Sequence, residues 1–350
     1  MGYSVKDKLV VAVSSTALFD FSKEHRIFLE EGVEAFRQYQ RDNRDVPPKP
    51  GAAFPFIKRL LRLNKVFREQ QPVEVIILSR NDPEAGLRMM DALPHYDLEI
   101  SRAIFRSGEA PYPYMQAING CLYLSTDKDE VAEAMEAGYP AGHVLPCAAE
   151  DDDGDTQLRI AFDFDGVIVD DEAESQYASG GLPLFYHHEV EHRKRPLGSG
   201  PLMPLLKQLS MLQRLERENP TAVNAPGKAI RVAIVTARSM PAHERIITTL
   251  GAYEIEVDEL FLTGGLEKKS FLDVLKPQIF FDDQLGHLEP ASEFTPCVHI
   301  PFGVRNRREP PIAVPVQQAP KRAKKRKEAE RPVEAPALDL ADGAGDARDA

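Results

Sequence analysis

The sequence predicts an α/β chain made of two tandem Rossmann-like units, each a parallel sheet flanked by helices. Three observations carry this. Short apolar runs recur, with the character of strands buried on both faces of a parallel sheet. The runs repeat at fixed spacings. Each ends in small polar or acidic residues, where open parallel sheets place their ligands.

The first unit is expected over residues 8–147. Its runs are Leu9–Val13 before Ser14-Ser15-Thr16, Val75–Leu78 before Ser79-Arg80, and Cys121–Leu124 before Ser125. Residues 148–156 read as a linker, since Asp-Gly-Asp within Asp151–Asp155 suits neither helix nor strand. The second unit is expected over 157–304. Its runs are Leu158–Phe162 before Asp163-Phe164-Asp165-Gly166, Arg231–Val235 before Thr236-Ala237-Arg238, and Pro277–Phe281 before Asp282-Asp283-Gln284. Ser14 to Lys58 and Asp163 to Lys207 both span 44 positions, and the stretches Gly51–Lys58 and Gly200–Lys207 read alike. Ser79 to Ser125 and Thr236 to Asp282 both span 46. Two equal spacings with four local matches indicate two copies of one unit. The segment over about 171–228 reads as an inserted cap. From 305 to 350 Pro, Ala and charged residues dominate, which predicts a disordered tail.

The two copies differ where chemistry would sit. The second has Asp163, Asp165, Thr236, Lys268, Asp282 and Asp283; the first has Ser14, Thr16, Ser79 and Ser125 at matching places. A hard cation needs carboxylates, so the second copy is expected to be catalytic and the first degenerate. Asp163 and Asp165 crowd at one strand end, and such a pair calls for a cation or a shared proton. Mg²⁺ is the natural choice, held by Asp163, the backbone carbonyl of Asp165 and an acidic residue of the Asp282/Asp283 pair. The set suits phosphoryl transfer. Asp163 would attack phosphorus and Asp165 would protonate the leaving alcohol, then activate water. Thr236 and Lys268 would bind the phosphate, with Ala237 and Arg238 at the helix start. Thr236 also suits a helix cap, and both roles can hold at once. Lys268 is favoured over Lys269. Which of Asp282 and Asp283 meets the metal stays open.

In the cap, Phe185 and His188 are candidates for binding a base, against the plainer reading of an amphipathic helix with a basic face. Asn81, near Ser79-Arg80, would reach the same cleft if the two units faced each other. Lys and Arg number 43 against 55 Asp and Glu, a formal net charge of −12. Such a chain has no general pull toward nucleic acid or anionic membranes. The basic run Lys321–Lys327 is confined to the tail, which reads as solvated. Cys121, Cys147 and Cys297 are widely spaced and read as reduced thiols. Leu9–Val13 is too short for a signal segment, and no run approaches a membrane span, so a cytoplasmic protein is expected.

At these motifs the chain resembles the haloacid dehalogenase superfamily. More closely it resembles the cytosolic 5′-nucleotidase I family, which has bacterial members. The resemblance rests on Ala12–Asp20, Glu24–Ile27, Pro50–Phe56, His95–Leu98, Leu197–Leu202, Val235–Arg238 and Ile279–Gln284, and covers roughly 8–304. It implies two haloacid dehalogenase-like units and Mg²⁺-dependent hydrolysis of nucleoside 5′-monophosphates, AMP being typical, through an aspartyl-phosphate. It also implies Asp163 as nucleophile, Asp165 as acid/base, Thr236 and Lys268 as phosphate ligands, and Asp282 or Asp283 as metal ligand. Two rivals remain: hydrolysis of another small ester such as a sugar phosphate, and a non-catalytic nucleotide-binding regulator. The intact carboxylates count against the regulator. A homo-oligomer is compatible with everything above.

Overall fold

Strand β1 (Leu9–Val13) leads through the cap residue Ser14 into the single-turn helix α1 (Ser15–Leu18) and the short strand β2 (Phe19–Asp20). Helices α2 (Ser22–Glu31) and α3 (Val33–Asp42) follow, then β3 (Lys49–Pro50), which pairs with β2 as a separate ribbon. Next come α4 (Phe54–Val66), β4 (Val73–Ser79), α5 (Pro83–His95), β5 (Arg102–Phe105), β6 (Leu122–Ser125), α6 (Lys128–Glu136) and β7 (Ala141–Val144). The second half repeats the rhythm with β8 (Leu158–Phe162), α7 (Glu172–Glu191), α8 (Met203–Glu218), β9 (Ile230–Thr236), α9 (His243–Ala252) and β10 (Glu259–Leu262). It closes with α10 (Lys268–Leu275), β11 (Ile279–Asp282), α11 (Leu285–Ala291) and β12 (Cys297–His299). This computed structural model describes residues 4–148, 151–152, 154–219 and 227–306.

Local chemistry explains these elements. Every residue of β1 is buried; Leu9, Val11 and Val13 enter one core and Val10 and Ala12 the other, the two-residue period of a strand. Helix α4 accepts Pro55 in its first turn, where no amide donor is needed, and buries Phe56, Ile57, Leu60, Leu61 and Leu63 at helical spacing. Asp82 caps α5 by accepting from the Ala85 amide at 2.8 Å.

Among the described residues the ten longer strands form one sheet, in the order β10-β9-β8-β11-β12-β7-β6-β1-β4-β5. Each half is parallel throughout, and in each the strands lie third, second, first, fourth, fifth. Separate sheets are therefore not what the chain builds. Strands β7 and β12 pair antiparallel, Val144 opposite Val298 and His143 opposite His299. The pairing removes two open strand edges, whose unpaired amides and carbonyls would otherwise need water or a partner. One face of the fused sheet carries a core running through both halves, and the other face carries one cluster per half.

The antiparallel junction has a geometric result. The carboxyl ends of β1, β4 and β6 lie at one edge of the sheet, and those of β8, β9 and β11 at the opposite edge. The segment expected as one insertion over 171–228 also divides. Helix α7 rises from the end of β8, broken at Gly180-Gly181, where Gly181 has φ 67°, a conformation glycine adopts without strain. Helix α8 instead packs into the core through Leu205, Leu206, Leu209 and Leu212, the position α4 holds in the first half. Residues 220–226 of that segment lie outside the described residues.

No described helix is long and apolar enough to cross a membrane. The region expected as tail begins inside the fold: Val304–Asn306 form a 3₁₀ turn, and Arg305 pairs with Glu174. Residues 307–350, with the basic run, lie outside the described residues.

Candidate active site

Asp163 follows the last residue of β8 and continues its ladder, its amide donating to the Phe281 carbonyl at 2.7 Å. The rings of Phe162 and Phe281 stack beside it, centroids 5.1 Å apart, and seal the floor. Lys268 opens α10 and points inward, although lysine is rarely buried unless paired. Its Nζ lies 2.9 Å from Asp163 Oδ1 and 2.7 Å from Asp282 Oδ2. Lys269 turns outward to Glu293 and lies over the Phe294 ring, so of the two lysines it is Lys268 that joins the carboxylate cluster.

The Asp282/Asp283 pair divides by hydrogen bonding. Asp282 is fully engaged: Oδ2 takes Lys268 and His287 Nδ1 at 3.1 Å, and Oδ1 accepts the Gln284 amide at 2.8 Å. Burial would raise its proton affinity, but Lys268 and His287 outweigh this and hold it below the usual carboxylate range. Asp283 Oδ1 is buried with no hydrogen-bond partner among the described residues. Burial and the charges of Asp163 and Asp282 push Asp283 up to about 9. Burial raises Asp163 to about 7 against the pull of Lys268, with Asp282 and Asp165 adding to the rise. Lys268 is held protonated: its burial is outweighed by Asp163 and Asp282. Gly166, at φ +70°, lets the chain pass so close that an added Cβ would sit 2.9 Å from the Asp283 carboxylate.

An orphaned carboxylate oxygen beside two further carboxylates is the donor set a hard cation would satisfy. Asp163, Asp282 and His287 also bring one ligand atom each within 4.8 Å of one another. The Lys268 ammonium sits against that trio and would repel a dication there. The free oxygen of Asp283 fits a cation better.

This makes a stability prediction. Both groups carry folded values above their unfolded one of about 3.8, so the metal-free fold binds more protons than the unfolded chain and loses stability as pH rises from about 4 to 9. Asp283→Asn is expected to raise the Tm of the metal-free protein at pH 8, by about 2–4 °C per kcal/mol gained. The same variant should lose whatever rise in Tm added Mg²⁺ brings to wild type. A metal-free Tm that falls on substitution, measured by calorimetry in EDTA, would show that Asp283 carries no such penalty.

Thr236 ends β9, is buried, and accepts the Arg238 amide at 3.2 Å on Oγ1. That bond closes a turn and caps no helix: α9 begins only at His243, with Ala242 at its N-cap, so the helix start expected at Ala237-Arg238 is not formed there. Ala237 is exposed beside it. The Arg238 side chain is engaged by two carboxylates. Its Nε and Nη2 donate to Asp165 Oδ2 and Oδ1, each at 2.7 Å, and Nη1 donates to Glu189. Phe185 is buried with its ring 5.4 Å from the Arg238 guanidinium. His188 lies 3.3 Å from both Glu172 and Glu189. Asn81 does not join this site. It donates to Ser15 Oγ at 3.4 Å at the opposite edge of the sheet, because the two halves are joined antiparallel.

Sequence reasoning did not single out His287, Glu189 or Arg245. His287 carries a weak signal, lying one helical turn beyond Asp282-Asp283. Glu189 and Arg245 carry none: only folding reveals that both side chains are fully buried.

The sequence matches the 5′-nucleotidase family over residues 1–307. It is 33% identical over 292 residues to human cytosolic 5′-nucleotidase 1B, an alignment covering 82% of this chain and 47% of that protein. The chain thus spans about half the length of that curated relative. No solved structure matches it. With a buried aspartate–lysine–aspartate cluster at the carboxyl ends of the second half's strands and a match over nearly all its described residues, the chain belongs to the 5′-nucleotidase family of enzymes.

Proposed function

We propose that this enzyme hydrolyses nucleoside 5′-monophosphates, AMP foremost, through an aspartyl-phosphate on Asp163, with Mg²⁺ as its cation. The observation that carries the reading is the convergence of Asp163, Lys268, Asp282 and the orphaned Asp283 at the neighbouring ends of β8 and β11 and the start of α10. Family membership and the name of the human relative supply the nucleotide. Asp163, Asp283 and the Asp165 carbonyl would hold Mg²⁺, which when bound offsets phosphate charge as a Lewis acid.

The rest belongs to the chain's own residues. An Asp163 oxygen forms a bond to phosphorus as the bond to the ester oxygen breaks. Asp165 gives that oxygen its proton, then takes one from the water that frees Asp163. Lys268 holds Asp163 in place and, with the Thr236 hydroxyl, donates to phosphate oxygens where charge builds. Asp282 and His287 fix the Lys268 ammonium. In the same reading the first half is a degenerate copy of the second, supported by the shared strand order. A cytoplasmic setting is in keeping with the name of the human relative.

The test is phosphate release from AMP and from a panel of sugar phosphates, with Mg²⁺ and with EDTA. Metal-dependent release with kcat/KM for AMP at least about tenfold above the sugar esters is expected, the discrimination a few polar and stacking contacts supply. A sugar phosphate ranking first would overturn the nucleotide assignment and keep the chemistry.

A further inference from the structure

The candidate acid/base does not stand alone. Both Asp165 oxygens face the Arg238 fork at 2.7 Å, the bidentate geometry that holds a carboxylate most firmly. In that pose the guanidinium engages both oxygens. Arg238 is itself buried, between the rings of Phe164 at 5.3 Å and Phe185 at 5.4 Å. Its third nitrogen meets Glu189, whose side chain is 0% exposed. Glu189 Oε1 also accepts from Arg245 Nη1 at 2.7 Å, and Arg245 Nη2 donates to Glu172 Oε1 at 2.8 Å. Arg245 therefore ties the two arms of α7, on either side of the Gly180-Gly181 break, to core helix α9.

Stability alone does not call for such a cluster, since apolar residues of similar volume fill a core as well or better. What the cluster provides is a second carboxylate on Arg238. If Asp165 turns away, the guanidinium keeps a counter-charge. Without Glu189 it would be left as a lone buried cation, and the Asp165 pair would be far harder to break.

We infer that Glu189 is a positioning residue: by sharing Arg238 with Asp165 it frees the Asp165 carboxyl to swing between its paired pose and the leaving oxygen. This rests on Asp165 being the acid/base as proposed above. Glu189 touches no reacting atom, and its effect passes through Arg238. Because it sits on α7, the placement of that helix sets how readily Asp165 is released.

The role makes a prediction that mere structural support would not. Protonation of the leaving oxygen matters for the alkoxide of AMP and little for nitrophenolate, a good leaving group. kcat/KM covers only the steps through departure of the alcohol. In Glu189→Gln, the ratio of kcat/KM for AMP to that for p-nitrophenyl phosphate is expected to fall about 10²-fold, the usual contribution of a general acid. Glu189→Asp keeps the charge on a shorter arm, and its ratio should fall by about tenfold or less; it decides the matter if the Gln variant does not fold. Equal losses on both esters, or no loss on either, would overturn the proposal. Wild type that cleaves p-nitrophenyl phosphate and a sugar phosphate but not AMP would overturn the nucleotide reading alone, and the sugar ester then replaces AMP in the ratio. Wild type that cleaves none of them overturns both.

Discussion

Replacing Asp163 by Asn is expected to lower phosphate release from AMP by about 10⁴–10⁶-fold, the scale seen when a covalent nucleophile is removed. The amide matches the carboxylate in size but cannot form and release the phosphoryl ester. The fold should survive. Lys268 keeps Asp282 at 2.7 Å, and the substitution removes a carboxylate that burial pushes up to about 7. At pH 8, where Asp163 in metal-free wild type is largely ionised at a cost, the variant should melt no lower than wild type. Malachite-green assays with single-turnover controls, beside calorimetry, would check both halves. Activity above about 1% of wild type would place the nucleophile elsewhere, and a collapsed Tm would make lost activity uninformative about chemistry.

Arg238→Met should have the largest effect on stability, about 3–5 kcal/mol, because it leaves a buried carboxylate without its partner. Glu189 is 0% exposed at the side chain and would keep Arg245 and the His188 ring but lose its bond to Arg238. At roughly 2–4 °C per kcal/mol the Tm should drop by about 10 °C. Arg238→Lys should recover little, since an ammonium cannot make the two parallel bonds to Asp165 while also reaching Glu189. Arg231 is the control. Its partner Glu259 is on an edge strand and its own side chain is 38% exposed, so Arg231→Met should cost no more than about 1 kcal/mol. If Arg238→Met and Arg231→Met melt alike, the buried network contributes nothing that a surface pair would not.

Much of the fold was legible because buried parallel strands leave a plain trace. Leu9–Val13 is apolar throughout and Leu158–Phe162 is apolar but for the half-buried Arg159, and both form strands over those residues. The equal spacings reflect matching positions in the two halves: β4 and β9 end at Ser79 and Thr236, β6 and β11 at Ser125 and Asp282. Strands β5 and β10 escaped notice. They are the sheet's outer strands, half buried, and begin with Arg102 and Glu259, so their composition does not separate them from loops. Strands β7 and β12 are short and carry a histidine, and nothing in either segment names the other as its partner.

By itself the sequence determined which residue types could do chemistry and at which strand ends they would stand. Carboxylate, threonine and lysine are covalent facts, and apolar runs turn them into positions on a sheet. Tertiary structure decided the rest, because contact between residues far apart in the chain depends on packing, which no local pattern encodes. It brought Lys268 rather than Lys269 to the carboxylates, engaged both oxygens of Asp282, left Asp283 Oδ1 without a partner among the described residues, and paired the Arg238 side chain with Asp165. It also joined two parallel halves through one antiparallel pair, setting their carboxyl ends on opposite edges and taking Asn81 out of the site.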